Sequence, residues 1–152
     1  MGSVLGCAVG VFGYTDISKE VEAKTMRVMI FVKATDDSEK TDFNPDDPWT
    51  QEMMEAMGKF NDELEKAGIL IDGGGLKPSS HAKRVTFDGP GRTVIDGPFA
   101  NIRVLVAVFW IWNVKDMDEA VAWVKRCPNP MRGPSEIEIR PFYELGNPIR
   151  VG

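Results

Sequence analysis

The stretch "TVIDGPFANIRVLVAVFWIW", residues 93–112, joins a tight corner to the most apolar part of the chain. Asp96-Gly97-Pro98-Phe99 carries turn chemistry: Asp bonds its own backbone, Gly relaxes the dihedrals and Pro fixes one. The strand that follows, residues 104–114, is apolar on both faces. Val104, Val106, Val108, Trp110 and Trp112 alternate with Leu105, Ala107, Phe109 and Ile111. A sheet covered by helices on one side should be apolar on that side only. The run is too short for a membrane helix, and a lone strand cannot span a bilayer. A second layer must therefore cover the other face. A second copy packed sheet against sheet about a two-fold axis is the simplest cover. On this reading Trp110 and Trp112 are buried in that seam, each removing about 150–250 Å² from water. The N-terminal segment is the alternative cover.

The segments around this strand have clear periods. "MRVMIFVKA", residues 26–34, reads as a buried strand. "TDDSEKTDFNPDDPW" follows as an acidic, solvated loop; it lacks the turn glycine and closing Glu of a calcium loop. Over residues 48–67, Met53, Met57, Phe60 and Leu64 recur at helical spacing, and Gly68 is placed to end that helix. "GILIDGGGLKPS" is a short strand running into a glycine-rich bulge or loop. It is no phosphate cradle, because neither a Lys-Ser/Thr pair nor a helix follows it. Arg84–Phe87 and Arg92–Ile95 form a hairpin about Asp88-Gly89-Pro90-Gly91. In "KDMDEAVAWVKRCP" Asp116 and Glu119 make a capping box, Met117, Ala120, Val121 and Val124 make an apolar stripe, and Pro128 ends the helix. "SEIEIRPFYEL" alternates Ile137 and Ile139 inward with Glu136, Glu138 and Arg140 outward. Two helices on one face of an antiparallel sheet give a ferredoxin-like α+β domain.

Composition narrows the function classes. The 152 residues are 43% apolar and 27% charged, and suit one domain with its own core. A net charge of −5, with basic residues scattered, argues against nucleic-acid or anionic-membrane surfaces. Cys7 and Cys127 lie far apart with no C-x-x-C spacing, so they read as separate thiols, neither a disulfide framework nor a zinc site. The glycine-rich apolar run at residues 4–14 lacks the basic start of a secretory signal, which makes the protein cytoplasmic on this reading. Residues 1–25 read as an appendage, 26–145 as the domain and 146–152 as a tail.

From residue 26 to about 145 the chain resembles the YCII-related, DGPF-domain family. The residues carrying this are "RVMIFVKA", "ELEKAGILIDGGGLKPS", "RVTF", "TVIDGPFA", "FWIW", "DEAVAWVKRCP" and "IEIRPFYE", in the family's order. The resemblance implies a ferredoxin-like fold that pairs into a dimeric α/β-barrel type of assembly. Some relatives look like dehalogenating lyases acting on lactones, and some DGPF proteins are associated with sigma-factor genes. YCII-type members carry a His–Asp pair with the His on the first helix; here "DPWTQEMMEAMGKFNDELEKAG" has no His. The family also continues after its hallmark with an acidic residue, a Lys-Glu pair and a Gly. This chain has Asn101, Arg103, Val104 and Val108 at those places.

Asp96 is the candidate general base, a carboxylate held on a rigid corner; the alternative is an Asx-type turn residue. Arg84 and Arg140 are candidate clamps for a substrate carboxylate, and equally candidates for cross-strand ion pairs. Phe99, Trp110 and Trp112 complete a candidate substrate-binding set. His81, in "KPSSHAKR", reads as a surface histidine. Two functions are open. One is a dimeric small-molecule binder or enzyme doing proton abstraction or elimination on a small carboxylic acid or lactone. The other is a regulatory or interaction module that dimerises through its sheet. Neither needs a metal or other cofactor.

Overall fold

A computed structural model describes residues 25–144. The apolar run at 4–14, Cys7, the proposed appendage and the proposed tail lie outside the described residues. Strand β1 is Met26–Lys33, followed by the short helix α1, Asp36–Lys40, and the long helix α2, Pro48–Lys66. Strand β2 is Leu70–Gly75, and the hairpin strands β3 and β4 are Lys83–Asp88 and Gly91–Asp96. Then come β5, Val106–Val114, helix α3, Met117–Arg126, and β6, Ile137–Pro141. Single 3-10 turns occupy Ser79–His81 and Ile102–Val104.

The sheet runs β2-β5-β1-β6 with every neighbour antiparallel, and among the described residues β3 and β4 pair only with each other. This is an α+β architecture of antiparallel sheets and three helices, compatible with a ferredoxin-like fold. Local chemistry sets the helix ends. Asp47 caps α2 by accepting from the Thr50 N–H at 3.0 Å, with Pro48 in the first turn. Gly68, at φ +74°, takes the left-handed turn that ends the helix. Asp116 caps α3 through the Glu119 N–H at 2.9 Å, and Glu119 reaches back to the Lys115 N–H at 2.7 Å, one residue short of the expected box.

The core lies between the sheet and the two long helices. Val28, Ile30 and Val32 of β1 have no exposed surface, and Trp112, Trp110 and Val108 stand opposite them on β5. Phe60 of α2 packs edge-on against Trp110 with ring centroids 6.0 Å apart, and Leu64 is fully buried beside it. Trp110 and Trp112 therefore face the helices, and this corrects the expectation that they fill a seam between copies. Both faces of β5 are apolar, so alternation separates two sets of residues without saying which set meets α2. The outer face carries the other set: Phe109 beside Phe31, and Ile111 beside Met29, all half-buried.

Two helix stripes are also corrected. On α3, Val121 is exposed, and Trp123 packs on the core where Val121 was expected. On α2, Met57, Phe60 and Leu64 pack as expected, while Met53 opens onto a cavity. The three glycines belong to edge strand β2, with a register shift between Leu70 and Asp72. Gly73 lies so close to the Trp110 indole that a Cβ would fall 2.6 Å from Cδ1.

Candidate functional site

Because β1 and β2 both run antiparallel to β5, their C-terminal ends meet the start of β5. A cavity of about 770 Å³ opens there. Its floor includes Leu76, Val106, Ala107 and Val108, and its walls come from α1, the 41–47 loop, the start of α2 and the loop Pro130–Arg132. The volume falls within the ~300–1,000 Å³ typical of small-molecule sites. The acidic stretch expected to be a solvated loop is one wall of this cavity. Thr35 and Ser38 cap each other reciprocally, which turns its first part into α1.

Each acidic group on the wall has a partner. Asp47 Oδ2 accepts from Arg132 Nη2 at 2.5 Å as well as from the Thr50 N–H and hydroxyl. The Thr50 N–H, chiefly, and then the Thr50 hydroxyl and Arg132 hold the Asp47 carboxyl below the usual carboxylate range against a desolvation cost. Arg132 also lies 3.7 Å from Asp37 and stacks over the Trp49 ring at 4.4 Å. Glu39 accepts from the Ser79 N–H at 2.9 Å and from the Ser79 hydroxyl. Asp42 Oδ1 lies 3.0 Å from Nε2 of His81. Lys77 is the lining cation that forms no ion pair among the described residues.

The residues singled out from the sequence scatter. Asp96 ends β4 with its side chain 72% exposed, paired to Lys83 Nζ across the hairpin at 2.5 Å. It is not among the residues lining the cavity. Arg84 and Phe99 do come together, the guanidinium 3.8 Å above the ring. Arg140 stands apart on β6, 3.8 Å from Glu138, and Trp110 and Trp112 lie in the core. The corner itself packs against the 3-10 turn: the Phe99 N–H donates to Ser79 Oγ at 3.0 Å, and the Gly97 N–H to the Ala82 carbonyl at 2.9 Å. His81 and Asp42, 39 residues apart, are the pair that sequence reasoning missed. The available signal was that His81 is the only histidine in the chain.

Cys127 is half-buried against the core, and burial pushes its thiol up to about 12, so it is no nucleophile near neutrality. Among the described residues no cluster of three or more His, Cys, Asp or Glu side chains could hold a metal ion. No helix of the described residues is long and apolar enough to cross a membrane.

An α+β arrangement of sheet and helices with a polar-walled cavity at a strand-end corner defines a broad class of small α+β proteins. Comparison with family models resolves which: the YCII-related domain matches residues 26–143, and the chain belongs to that family. A search of curated proteins gives no match.

Proposed function

We propose that this protein takes a small neutral carbonyl compound, such as a lactone, into the Trp49–Arg132 cavity and abstracts a proton from it with His81. The observation that carries this is the His81–Asp42 pair: Asp42 lines the cavity, and His81, just behind the lining, lies 3.0 Å from its Oδ1. An ionised carboxylate only accepts hydrogen bonds, so Nε2 of a neutral His81 must hold the proton shared with Asp42. That leaves the lone pair on Nδ1 as the base. In the step, a C–H bond next to the carbonyl breaks, the proton passes to Nδ1, and the electron pair moves onto the carbonyl oxygen. Asp42 stabilises the imidazolium that forms, in the manner of an oriented base. Lys77 is the cation at hand for the enolate oxygen.

Charge decides between the neutral substrate and a carboxylic acid. Asp37, Glu39, Asp42 and Asp47 outnumber Lys77 and Arg132 on the lining by two. At ~8 Å in a water-like dielectric each surplus charge repels an anion by about 0.5 kcal/mol, so the two together cost about 1 kcal/mol. An exposed pair with Lys77 returns no more than about that. An anionic ligand therefore gains nothing net, and a neutral one loses nothing.

In the same reading the protein works as a homodimer. The apolar strip of Met29, Phe31, Phe109 and Ile111 on the side of the sheet away from the helices supports a sheet-to-sheet contact.

The test is a thermal-shift screen of small lactones and the matching hydroxy acids on wild-type protein, Asp42→Asn and His81→Gln. A lactone that raises the wild-type melting temperature, by less in both variants, is the expected result. An equal rise in all three proteins would remove His81 and Asp42 from the site. A flat response across the panel would leave an interaction module assembled through its sheet.

A further inference from the structure

We infer that Ser79, Glu39 and Gly97 are positioning residues: the Asp96–Phe99 corner braces the Ser79–His81 turn so that His81 meets Asp42. This rests on the reading of His81 as the working base, and it assigns the corner a different task from that of a catalytic carboxylate. Two links join the α1 region to the turn. Glu39 holds Ser79, and Asp42, three residues further on, holds His81, two residues beyond Ser79. The two links are unlike. Ser79 is 5% exposed and its hydroxyl is committed on both sides, accepting from the Phe99 N–H and donating to Glu39. His81 and Asp42 are exposed, with side chains at 44% and 65%.

An exposed pair of that kind contributes little of its own, because two mobile side chains must be held still for one screened contact. Its geometry must therefore come from the backbone that carries it. That backbone is fixed by the buried link. A hydroxyl bonded to a carboxylate makes a strong charge-assisted contact, and removing it leaves buried groups unpaired. The corner closes the brace from behind. Gly97 comes so near the turn that a Cβ would lie 1.7 Å from the Ser79 carbonyl oxygen and 2.7 Å from its carbon. Any other residue there would displace Ser79, and His81 with it, from the position that the link to Glu39 requires. The Gly of the corner is thus required by close approach of two backbones, and the Phe99 N–H supplies the bond that fixes the distance.

The histidine is alone in the chain, so its imidazole nitrogens give a single set of signals in a ¹⁵N long-range spectrum of tag-free protein. The experiment is a double-mutant cycle read on those signals at pH ~9, above the ordinary imidazole range of about 6.5. Asp42→Asn should displace them in the wild-type background. In Ser79→Ala and in Glu39→Gln backgrounds the same substitution should displace them by less than about half as much, since the pair has already come apart. Gly97→Ala should do likewise, but it threatens the turn itself, so the other two carry the test. Correct folding is checked by unchanged backbone amide signals of β1 and β5. An equal displacement in all backgrounds would show that the pair holds without the brace and overturn the inference. So would no displacement in the wild type, which would mean that the pair does not form. The thermal-shift screen stands apart: a ligand effect lost in His81→Gln supports the base even if the brace fails.

Discussion

Replacing the three glycines of β2 by alanine, one at a time, should give three different results, because their surroundings differ. At Gly73 a Cβ would lie 2.6 Å from Cδ1 of Trp110 and 2.9 Å from the Phe109 carbonyl oxygen. The indole cannot step aside cheaply. It is 3% exposed, sits edge-on to Phe60, and donates its Nε1–H to Asn61 at 3.0 Å. Overpacking of this sort costs ~1–3 kcal/mol. Alanine also restricts the unfolded chain, which returns ~0.4–1 kcal/mol where the native backbone suits it. None of the three glycines has a positive φ, so that return applies to each. The net for Gly73→Ala is a loss of about 1–2 kcal/mol. At Gly74 the nearest atom is Phe109 Cε1 at 3.6 Å, an ordinary contact, and at Gly75 nothing lies within 4 Å. Gly74→Ala should be neutral to slightly stabilising, and Gly75→Ala stabilising by ~0.4–1 kcal/mol. Urea unfolding followed by tryptophan fluorescence measures this directly. With a slope of ~1–3 kcal/mol per molar, the spread between the first and third variants is a midpoint shift of about 1 M at unchanged slope. If Gly73→Ala unfolds at the same urea concentration as Gly75→Ala, the approach to Trp110 is not what requires glycine there.

Asp47 carries an acid limb of stability. Its carboxyl ionises lower in the folded protein than in the unfolded chain, so its contribution is present above the unfolded value of about 3.9 and is lost as pH falls through the lower, folded value. Asp47→Asn should flatten the stability–pH curve below pH ~4 in denaturant titrations, and an unchanged curve would refute the assignment. Cys127 should react slowly with an alkylating thiol reagent at pH ~8 in a Cys7→Ser background and rapidly once unfolded. Equal rates in the two states would mean that the thiol is not held in its buried surroundings.

Much of the architecture was legible because it rests on local chemistry and short periods. Strand β1, helix α2 with its stripe and end signals, the hairpin and β6 follow from residues that sit next to one another. Gly68 and Asp116 could be placed from type alone, since a left-handed turn and an N-cap ask for those side chains. Val121 was misplaced because a ten-residue helix offers two adjacent stripes, and the larger surface of Trp123 takes the core position. The acidic stretch read as solvated because three of its carboxylates find their partners far away in sequence: Glu39 at Ser79, Asp42 at His81, Asp47 at Arg132.

By itself the sequence determined that residues 26–143 belong to the YCII-related family with an α+β order of elements, and that β5 is apolar on both faces. Period and turn chemistry are properties of neighbouring residues, so they can be read without knowing the fold. Which face of β5 met the helices was decided only in three dimensions, by where Phe60 of α2 came to rest. The tertiary structure alone also showed Asp96 paired with Lys83 and His81 set against Asp42. A pair of side chains 39 residues apart has no local signature. It exists because a buried serine, a glycine with no room for a side chain and a short capped helix bring two pieces of backbone together.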